Sequence, residues 1–377
     1  MASVGYLSVT HARISFRACI TRPICSALLR GPPAGSRNMS YSNTSPSALR
    51  RVAVLYQALD PPVIGGVRKP KKPGGYQDSG ADIAFNLGNC SDVKSITPSS
   101  APDPAKDEGW CFPDTEDGAL EKHQNTLQVI GQGPLVVEKY DDKQYVNDLL
   151  RRLGSFTMPK AWCIREGQDI AAELRDASYP VVAKPIRGRG SQGVKVCHSF
   201  DELSAHTQEL FTNSSSIMIE EFLAGEEITI TVMPPKDPGA KYWSLPVVTR
   251  FNHQQGIAPY NGVVAVTANS RAILESELDD IYIQAMQECE KVAEALGVTA
   301  PIRIDARRFK DSKNSKFALF DVNMKPNMTG PGRPGRDDQA SLTLMAASAL
   351  GWDYQQLLRQ ILSTSRPLKD LKALRPM

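Results

Sequence analysis

A chain of 377 residues with 41% apolar side chains can bury two or three cores, and none of its apolar runs is long enough to span a membrane. A formal charge of +3, carried by scattered basic residues, is too slight to mark nucleic acid as the main partner. Seven cysteines, an odd number with no CxxC pair, exclude a disulfide framework and a zinc ribbon and point to reduced thiols in an intracellular compartment.

The first fifty residues stand apart in composition. They contain no acid, while Arg13, Arg17, Arg22, Arg30, Arg37 and Arg50 are interspersed with Ser, Thr and Ala, and the first carboxylate in the chain is Asp60. This composition fits a mitochondrial transit peptide or, equally, a disordered tail on a cytoplasmic protein. The Pro/Gly/Ser cluster from Gly31 to Ser47 suits either reading, and Met39 offers a second start.

Folding is expected from Arg51. RVAVLY reads as a short buried strand opening an N-terminal α/β domain over 51–140, and it runs into a long glycine- and lysine-rich loop. In open α/β sheets such loops bind ligands. Arg68, Lys69, Lys71 and Lys72 either attract an anion there or form a solvated loop. The stretch 88–133 is polar and Pro-rich and carries no assignable period. From Tyr140 a helix is expected with Asp141 as N-cap, with Val146, Leu149, Leu150 and Leu153 on one face and a stop at Gly154.

The strand YPVVAKP, Tyr179 to Pro185, leads into Gly188, Gly190 and Gly193 and then into the strand VKVC. These glycines match GxGxxG, yet a strand follows them where a dinucleotide fold needs a helix. A protein-kinase loop would place its lysine after the glycines, and HRD and DFG are both absent. Lys184 instead precedes the loop, where it can reach phosphates while loop amides fold over the rest. An apolar core strand gives a lysine little reason to be buried without an anion. Ser199 and Glu202 form a capping box for a helix to about Thr212. Next, SIMIEEFLAGEEITITVM reads as a strand ending at Glu220–Leu223, a turn at Gly225 and a second strand alternating Ile228, Ile230 and Val232. Such a connection can offer backbone to an adenine edge and a carboxylate to ribose, or simply be a solvated turn.

Ile302 to Thr329 reads as a hairpin. Ile302, Ile304 and Ala306 share one face and Arg303, Asp305 and Arg307 the other, while Phe317, Leu319, Asp321 and Asn323 are expected together on one face. A turn centred on Lys313 sets Asp305 opposite Asp321, with Asn323 one pleat further. Facing carboxylates repel unless a cation lies between them, and this all-oxygen trio suits Mg²⁺ bridging phosphates. An exposed hairpin with acids turned to water is the alternative.

In order, these pieces resemble the ATP-grasp superfamily, and within it the D-alanine:D-alanine ligase branch, over about Lys143 to Leu362. The resemblance implies an α/β (α+β) ATP-grasp fold with the nucleotide between two α+β subdomains, preceded by a small Rossmann-like N-terminal domain. It sets an ATP-grasp domain at 141–365 with a lid at about 180–235, and a tail at 366–377. It also implies that Lys143 and Lys184 bind phosphates, that Gly190, Ser191, Gln192 and Gly193 form the mobile loop, and that Glu220, Glu221, Phe222 and Leu223 bind adenine. Glu227 then meets the ribose. Asp305, Asp321 and Asn323 hold Mg²⁺ or Mn²⁺, and Arg303 with an amide near Asn327 stabilises a tetrahedral intermediate, Lys184 assisting in catalysis. The implied activity is ATP-dependent joining of a small-molecule carboxylate and amine through an acyl phosphate, without nucleic acid or membrane, and is compatible with a homodimer.

The chain departs from this branch at several places. Asp321 stands where the family has glutamate, and Met324, Lys325, Pro326 and Asn327 replace Thr-Ser-Pro-Gly, bringing a cation toward the acceptor. No lysine lies between Phe251 and Asn269, so Arg250 or His253 is the candidate to cover the γ-phosphate. These departures admit two other readings, an ATP-binding module without turnover and a phosphotransferase that stops at the phosphorylated substrate.

Overall fold

The computed structural model describes residues 6–10, 50–57, 63–64, 67–68, 75–101, 122–188, 191–237, 239–259 and 264–377. Among the described residues three larger sheets form the body, beside a two-stranded pair of Val63–Ile64 with Val67–Arg68. The N-terminal sheet has five strands in the order Arg366–Pro367, Gln128–Ile130, Tyr6–Thr10, Arg50–Gln57 and Val93–Ala101. Val52 and Val54 of the expected RVAVLY strand are buried, and the helix Gly75–Gly88 covers them with Ile83, Ala84 and Leu87. That helix links Arg50–Gln57 to its parallel neighbour Val93–Ala101 as one βαβ unit, while the other pairs in the sheet are antiparallel.

Among its described residues the stretch 88–133 thus contributes two strands, one rich in serine and the other of three residues, too short to show a period. Tyr6–Thr10, within the segment read by composition as targeting or disordered, pairs with two strands of this sheet. Residues 366–377 are not a free tail. Arg366–Pro367 extends the sheet, and Leu368 and Leu371 of the following helix are buried. Of the basic loop residues, Lys69, Lys71 and Lys72 lie outside the described residues.

The central sheet is antiparallel, in the order Ser270–Ala272, Val248–Arg250, Glu227–Met233, Ile302–Arg308 and Phe317–Asn323, with Trp243–Ser244 added beside Glu227–Met233. Strand alternation decides its two faces. Ile228, Ile230, Val232, Ile302, Ile304 and Ala306 pack in one core with the helices Lys143–Leu153 and Asp280–Ala295, whereas Thr229, Asp305 and Arg303 face the other way. Helix Lys143–Leu153 is capped by Asp142, which accepts from the Tyr145 amide at 3.0 Å, one residue later than the expected Asp141. It stops at Gly154, whose φ of 70° is left-handed backbone that glycine adopts freely. Val146, Leu149 and Leu150 are buried as expected, but Leu153 is exposed.

A smaller antiparallel sheet orders Ala161–Arg165, Ser216–Glu221, Val181–Pro185 and Lys195–Cys197 over its own core of Ile164, Leu203, Ile217 and Ile219. The helix Phe200–Phe211 closes that core, and Ser199 caps it by accepting from the Glu202 amide at 3.3 Å. The lid therefore spans about 161–221 instead of 180–235, because Glu227–Met233 pairs in the central sheet. The two strands around Gly225 are consequently a crossing between sheets and not a hairpin.

The hairpin Ile302–Arg308/Phe317–Asn323 has the expected pairing of Asp305 with Asp321 and of Arg303 with Asn323. Its register shifts between Asp305 and Ala306, leaving Phe320 without a cross-strand partner. Such a bulge inverts the side-chain alternation. Phe317 and Leu319 lie in the core, whereas Asp321 and Asn323 share the opposite face with Asp305, so the four residues expected on one face are divided between two. Beyond the bulge, Arg308 stacks 4.1 Å over the Phe317 ring and donates to Glu226 at 3.2 Å and to the carbonyls of Lys313 and Ser315 at 2.7 Å, which fixes the turn.

Gly225 passes so close to this hairpin that a Cβ there would meet Lys310 O at 2.3 Å. Gly225→Ala should destabilise the chain by roughly 1–3 kcal/mol through overpacking, read as a lowered urea midpoint; an unchanged midpoint contradicts this packing. Tyr282 donates to Glu226, and burial together with that bond pushes its phenol up to about 12 from an ordinary 10.0. A raised folded value means that this group's contribution is complete below about pH 10 and is lost as the pH rises through about 12. Tyr282→Phe should show a shallower loss of stability across that window, and parallel pH profiles would rule the effect out.

Candidate functional site

The site lies on the non-core face of the hairpin, opposite the lid. Asp305, only 6% exposed, is held from three sides: Thr229 Oγ1 donates to Oδ1 at 2.6 Å, Arg303 Nε and Nη2 donate to Oδ1 and Oδ2 at 3.1 Å each, and Asn323 Nδ2 donates to Oδ2 at 3.0 Å. Burial works against the Arg303 charge, but the paired Asp305 overcomes it and raises the guanidinium above its ordinary value. Across the pleat, Asp321 Oδ1 accepts from Lys143 Nζ at 2.7 Å. Burial alone would push the Asp321 carboxyl up; Lys143, Lys184 and Arg303 outweigh it and hold it below the ordinary range.

Lys184 is 4% exposed on the lid strand Val181–Pro185. Its ammonium meets Glu220 Oε2 at 2.6 Å and donates to Phe320 O at 3.1 Å. That carbonyl belongs to the bulged residue, so the irregularity in the hairpin supplies the acceptor that ties the lid to it. Lys143 begins its helix beside the same strand, its amide donating to Ile186 O at 2.9 Å. Both expected phosphate lysines therefore converge between lid and hairpin.

In the crossing, Glu220 and Leu223 are buried, Ala224 and Gly225 amides donate to Phe309 O and Arg308 O at 3.2 and 3.0 Å, and Glu221 N donates to Lys160 O at 2.9 Å. The amide and carbonyl groups of Phe222 and Leu223 make no hydrogen bond with the described residues. Free backbone edges beside a ring and a leucine are what an adenine reader needs. Glu227, 4% exposed, accepts from His253 Nε2 at 2.8 Å and from Arg250 Nη1 at 3.4 Å. Arg250 and His253, the candidates for the missing loop lysine, are thus both engaged by Glu227, the residue expected to meet the ribose.

Of the glycine loop, Gly190 lies outside the described residues. Ser191 and Gln192 are exposed, with Ser191 at φ 56°, and Gly193 at φ 73° accepts at its carbonyl from His206 Nε2 at 3.0 Å. Asn327 Oδ1 accepts from the Thr329 amide at 3.1 Å and hydroxyl at 2.8 Å, shaping the turn after the strand Phe317–Asn323. Thr329 Oγ1 also lies 2.8 Å from Ser79 Oγ of the N-terminal helix, so the same turn contacts the first domain. Lys325 does not bring a cation toward the acceptor: its side chain is 4% exposed and pairs with Asp141 Oδ2 at 2.5 Å.

The sequence does not mark the roles of three residues, although Arg307 falls on the expected face with Arg303 and Asp305. Thr229 holds Asp305, and its place follows from alternation against Ile228 and Ile230. Asn147 donates to Glu220 Oε1 at 3.0 Å and lies one helical turn after Lys143, a spacing that shares a face. Arg307 Nε and Nη1 donate to Gly225 O at 2.9 Å and Gly256 O at 2.6 Å, and the guanidinium lies 5.1 Å from the Phe222 ring centre, joining the crossing to the loop 251–259.

The oxygens of Asp321 Oδ2 and Asn323 Oδ1 take no hydrogen bond from the described residues. With Asp305 they make a hard, two-carboxylate oxygen set that suits Mg²⁺ or Mn²⁺. Among the described residues no group of three or more His, Cys, Asp or Glu side chains is placed to hold a metal ion by itself.

The family model described as D-ala D-ala ligase C-terminus matches residues 156–363. The chain belongs to this family. A D-alanine--D-alanine ligase of Aquifex aeolicus is 26% identical over 251 residues, covering 66% of this chain and 78% of the relative. One from Pseudomonas fluorescens is 28% identical over 260 residues, covering 66% and 71%. Among solved structures, the Bacillus anthracis D-alanine--D-alanine ligase complexed with ATP superposes with a TM-score of 0.56 at 23% identity, over 79% of this chain and 94% of that one. At that identity the likeness speaks for the fold, and the fold is ATP-grasp. The family match starts at 156, after Lys143, and spans every strand of the lid and the central sheet.

In this family member, Lys184 and Glu220 form a pair more than nine-tenths buried, so Lys184→Met strands a carboxylate. It should cost about 3–5 kcal/mol, where an exposed lysine would cost almost nothing. Adding Glu220→Gln to Lys184→Met should recover most of that loss by urea unfolding. A single variant as stable as the parent would mean the pair is not formed.

Proposed function

We propose that this chain is an ATP-dependent carboxylate-amine ligase forming an amide or peptide bond through an acyl phosphate. One observation carries the reading: a single hairpin face presents Arg303, Asp305, Asp321 and Asn323 toward Lys143 and Lys184, which reach in from the lid side. Family membership and ligase relatives over two thirds of the chain support it further.

Phe222 and Leu223 offer free backbone groups to the adenine edge, Leu223 an apolar surface to its face, and Glu227, steadied by His253, a carboxylate to the ribose. Lys143 and Lys184 would exchange their carboxylate partners for phosphate oxygens. Asp305, Asp321 and Asn323 would hold Mg²⁺ or Mn²⁺, which when bound neutralises phosphate oxygens and orients the γ-phosphate. A substrate carboxylate oxygen attacks the γ-phosphorus, forming a P–O bond as the bond to ADP breaks. The amine then attacks the acyl carbon, and the tetrahedral intermediate expels phosphate after the nitrogen loses a proton. Arg303, oriented by Asp305, and an amide near Asn327 stabilise the oxyanion in a water-poor site. The side chains that this chain contributes orient groups and balance charge; none acts as a covalent nucleophile.

The turn after the hairpin, where the Asn327 side chain is bonded to Thr329, would border the acceptor. The substrates are small molecules, and the acceptor is the reactant that this turn selects. For localisation, the acid-free first fifty residues fit either a mitochondrial or a cytoplasmic protein by composition, and the pairing of Tyr6–Thr10 in the N-terminal sheet weighs against a removable presequence.

Phosphate release measured over a panel of carboxylates and amines, D-alanine among them, should require one of each together with ATP. ATP binding without turnover throughout the panel, or release driven by a carboxylate alone, would contradict the ligase reading. Asp305→Asn should abolish release while ATP alone still binds, and should cost about 1–3 kcal/mol because the buried Arg303 loses its counter-ion. Parental turnover in that variant would remove Asp305 from the site.

A further inference from the structure

The two carboxylates of the hairpin face are neutralised by different cations. Asp305 is gripped by the planar fork of Arg303, two hydrogen bonds from a side chain rooted on the same strand two residues away. A fork of this kind is rigid and keeps its partner. Asp321 is met by one ammonium, on the flexible four-carbon stem of Lys143, through a single 2.7 Å contact. Lys143 comes from another element altogether, the first turn of the helix Lys143–Leu153. Its backbone is pinned by the Asp142 cap and by the bond from its amide to Ile186 O, so the stem can swing while its root stays fixed.

A divalent ion drawn to Asp321 would have to replace that ammonium on Oδ1 or stand beside it on Oδ2, like charge against like. Without an added anion, displacing Lys143 gives up its 2.7 Å ion pair with Asp321 for water. Lys184 is paired instead with Glu220 at 2.6 Å and Phe320 O at 3.1 Å, so in this state it is Lys143 that occupies Asp321. A polyphosphate changes the balance, since it offers Lys143 an acceptor and frees Asp321 at the same moment.

We propose that Lys143 is a resident cation that guards Asp321, making divalent-metal binding conditional on nucleotide. This rests on the ligase reading of the site and adds an order to it. The metal enters with the nucleotide, and by reciprocity each tightens the other. Lys143 therefore has two acceptors in succession, first Asp321 and then phosphate.

The test is Mn²⁺ binding followed by electron paramagnetic resonance, with and without a non-hydrolysable ATP analogue. The parent chain should bind Mn²⁺ at least tenfold more tightly when the analogue is present. Lys143→Met and Lys143→Gln should bind Mn²⁺ alone at least fivefold more tightly than the parent, and the gain produced by the analogue should shrink. Asp321→Asn in the Lys143→Met background should cancel that tighter binding. If both Lys143 variants fold and bind Mn²⁺ alone no better than the parent, while the analogue with Mn²⁺ still binds, the guarding role is wrong and the ligase reading stands. If the parent binds neither Mn²⁺ nor analogue, both fall.

Discussion

The site depends on one irregularity in one strand. Phe320 has no partner across the hairpin, and this extra residue reverses the alternation of Phe317–Asn323 in mid-strand. Before it, Phe317 and Leu319 point into the core; after it, Asp321 and Asn323 point away. A regular strand would carry Leu319 and Asp321 on the same face, so either a leucine would leave the core or a carboxylate would enter it. Both errors are costly, the second far more so. The bulge lets one hairpin contribute to the fold with its turn end and to the chemistry with its open end.

The same residue joins the two halves of the cleft. A bulged residue leaves its carbonyl without a ladder donor, and Phe320 O accepts from Lys184, a buried lid lysine. Glu220, which pairs with Lys184, is positioned by Asn147 from the helix that also begins with Lys143. Lid, helix and hairpin therefore share one connected polar network, in which each carboxylate has its own cation. The far end of the crossing is held independently, by Gly225 lying against Arg308 and Lys310 and by Arg307 bridging Gly225 to Gly256.

Local pattern made much of this legible. Alternation in Ile302–Arg308 and Glu227–Met233, the glycine stop at 154 and the Ser199 cap are properties of a few adjacent residues, and the structure has each of them. The pairing of Asp305 with Asp321 matches the expectation, but the turn alone does not produce it: the register from Arg308–Phe317 onward would oppose Asp305 to Phe320, and the shift at the bulge moves the partner on to Asp321. The bulge was not legible, since residues 317–323 carry no glycine or other local mark of a lost alternation. The lid boundary was misplaced because two consecutive strands with a glycine between them look like a hairpin, and only pairing reveals that they belong to different sheets. Lys325 was misjudged for a related reason. Its partner Asp141 is 184 residues earlier in the chain, where it reads as a helix cap one position out of place. Such long-range ion pairs leave no periodic trace in a single sequence.

The most direct measurement is the anomalous signal of Mn²⁺ in crystals grown with a non-hydrolysable ATP analogue. The account predicts an ion coordinated by oxygens of Asp305, Asp321 and Asn323 on the non-core side of the bulge, with the phosphates between it and Lys184. An analogue bound with its metal away from these three oxygens, or a hairpin in which Asp321 points to the core side with Leu319, would contradict it.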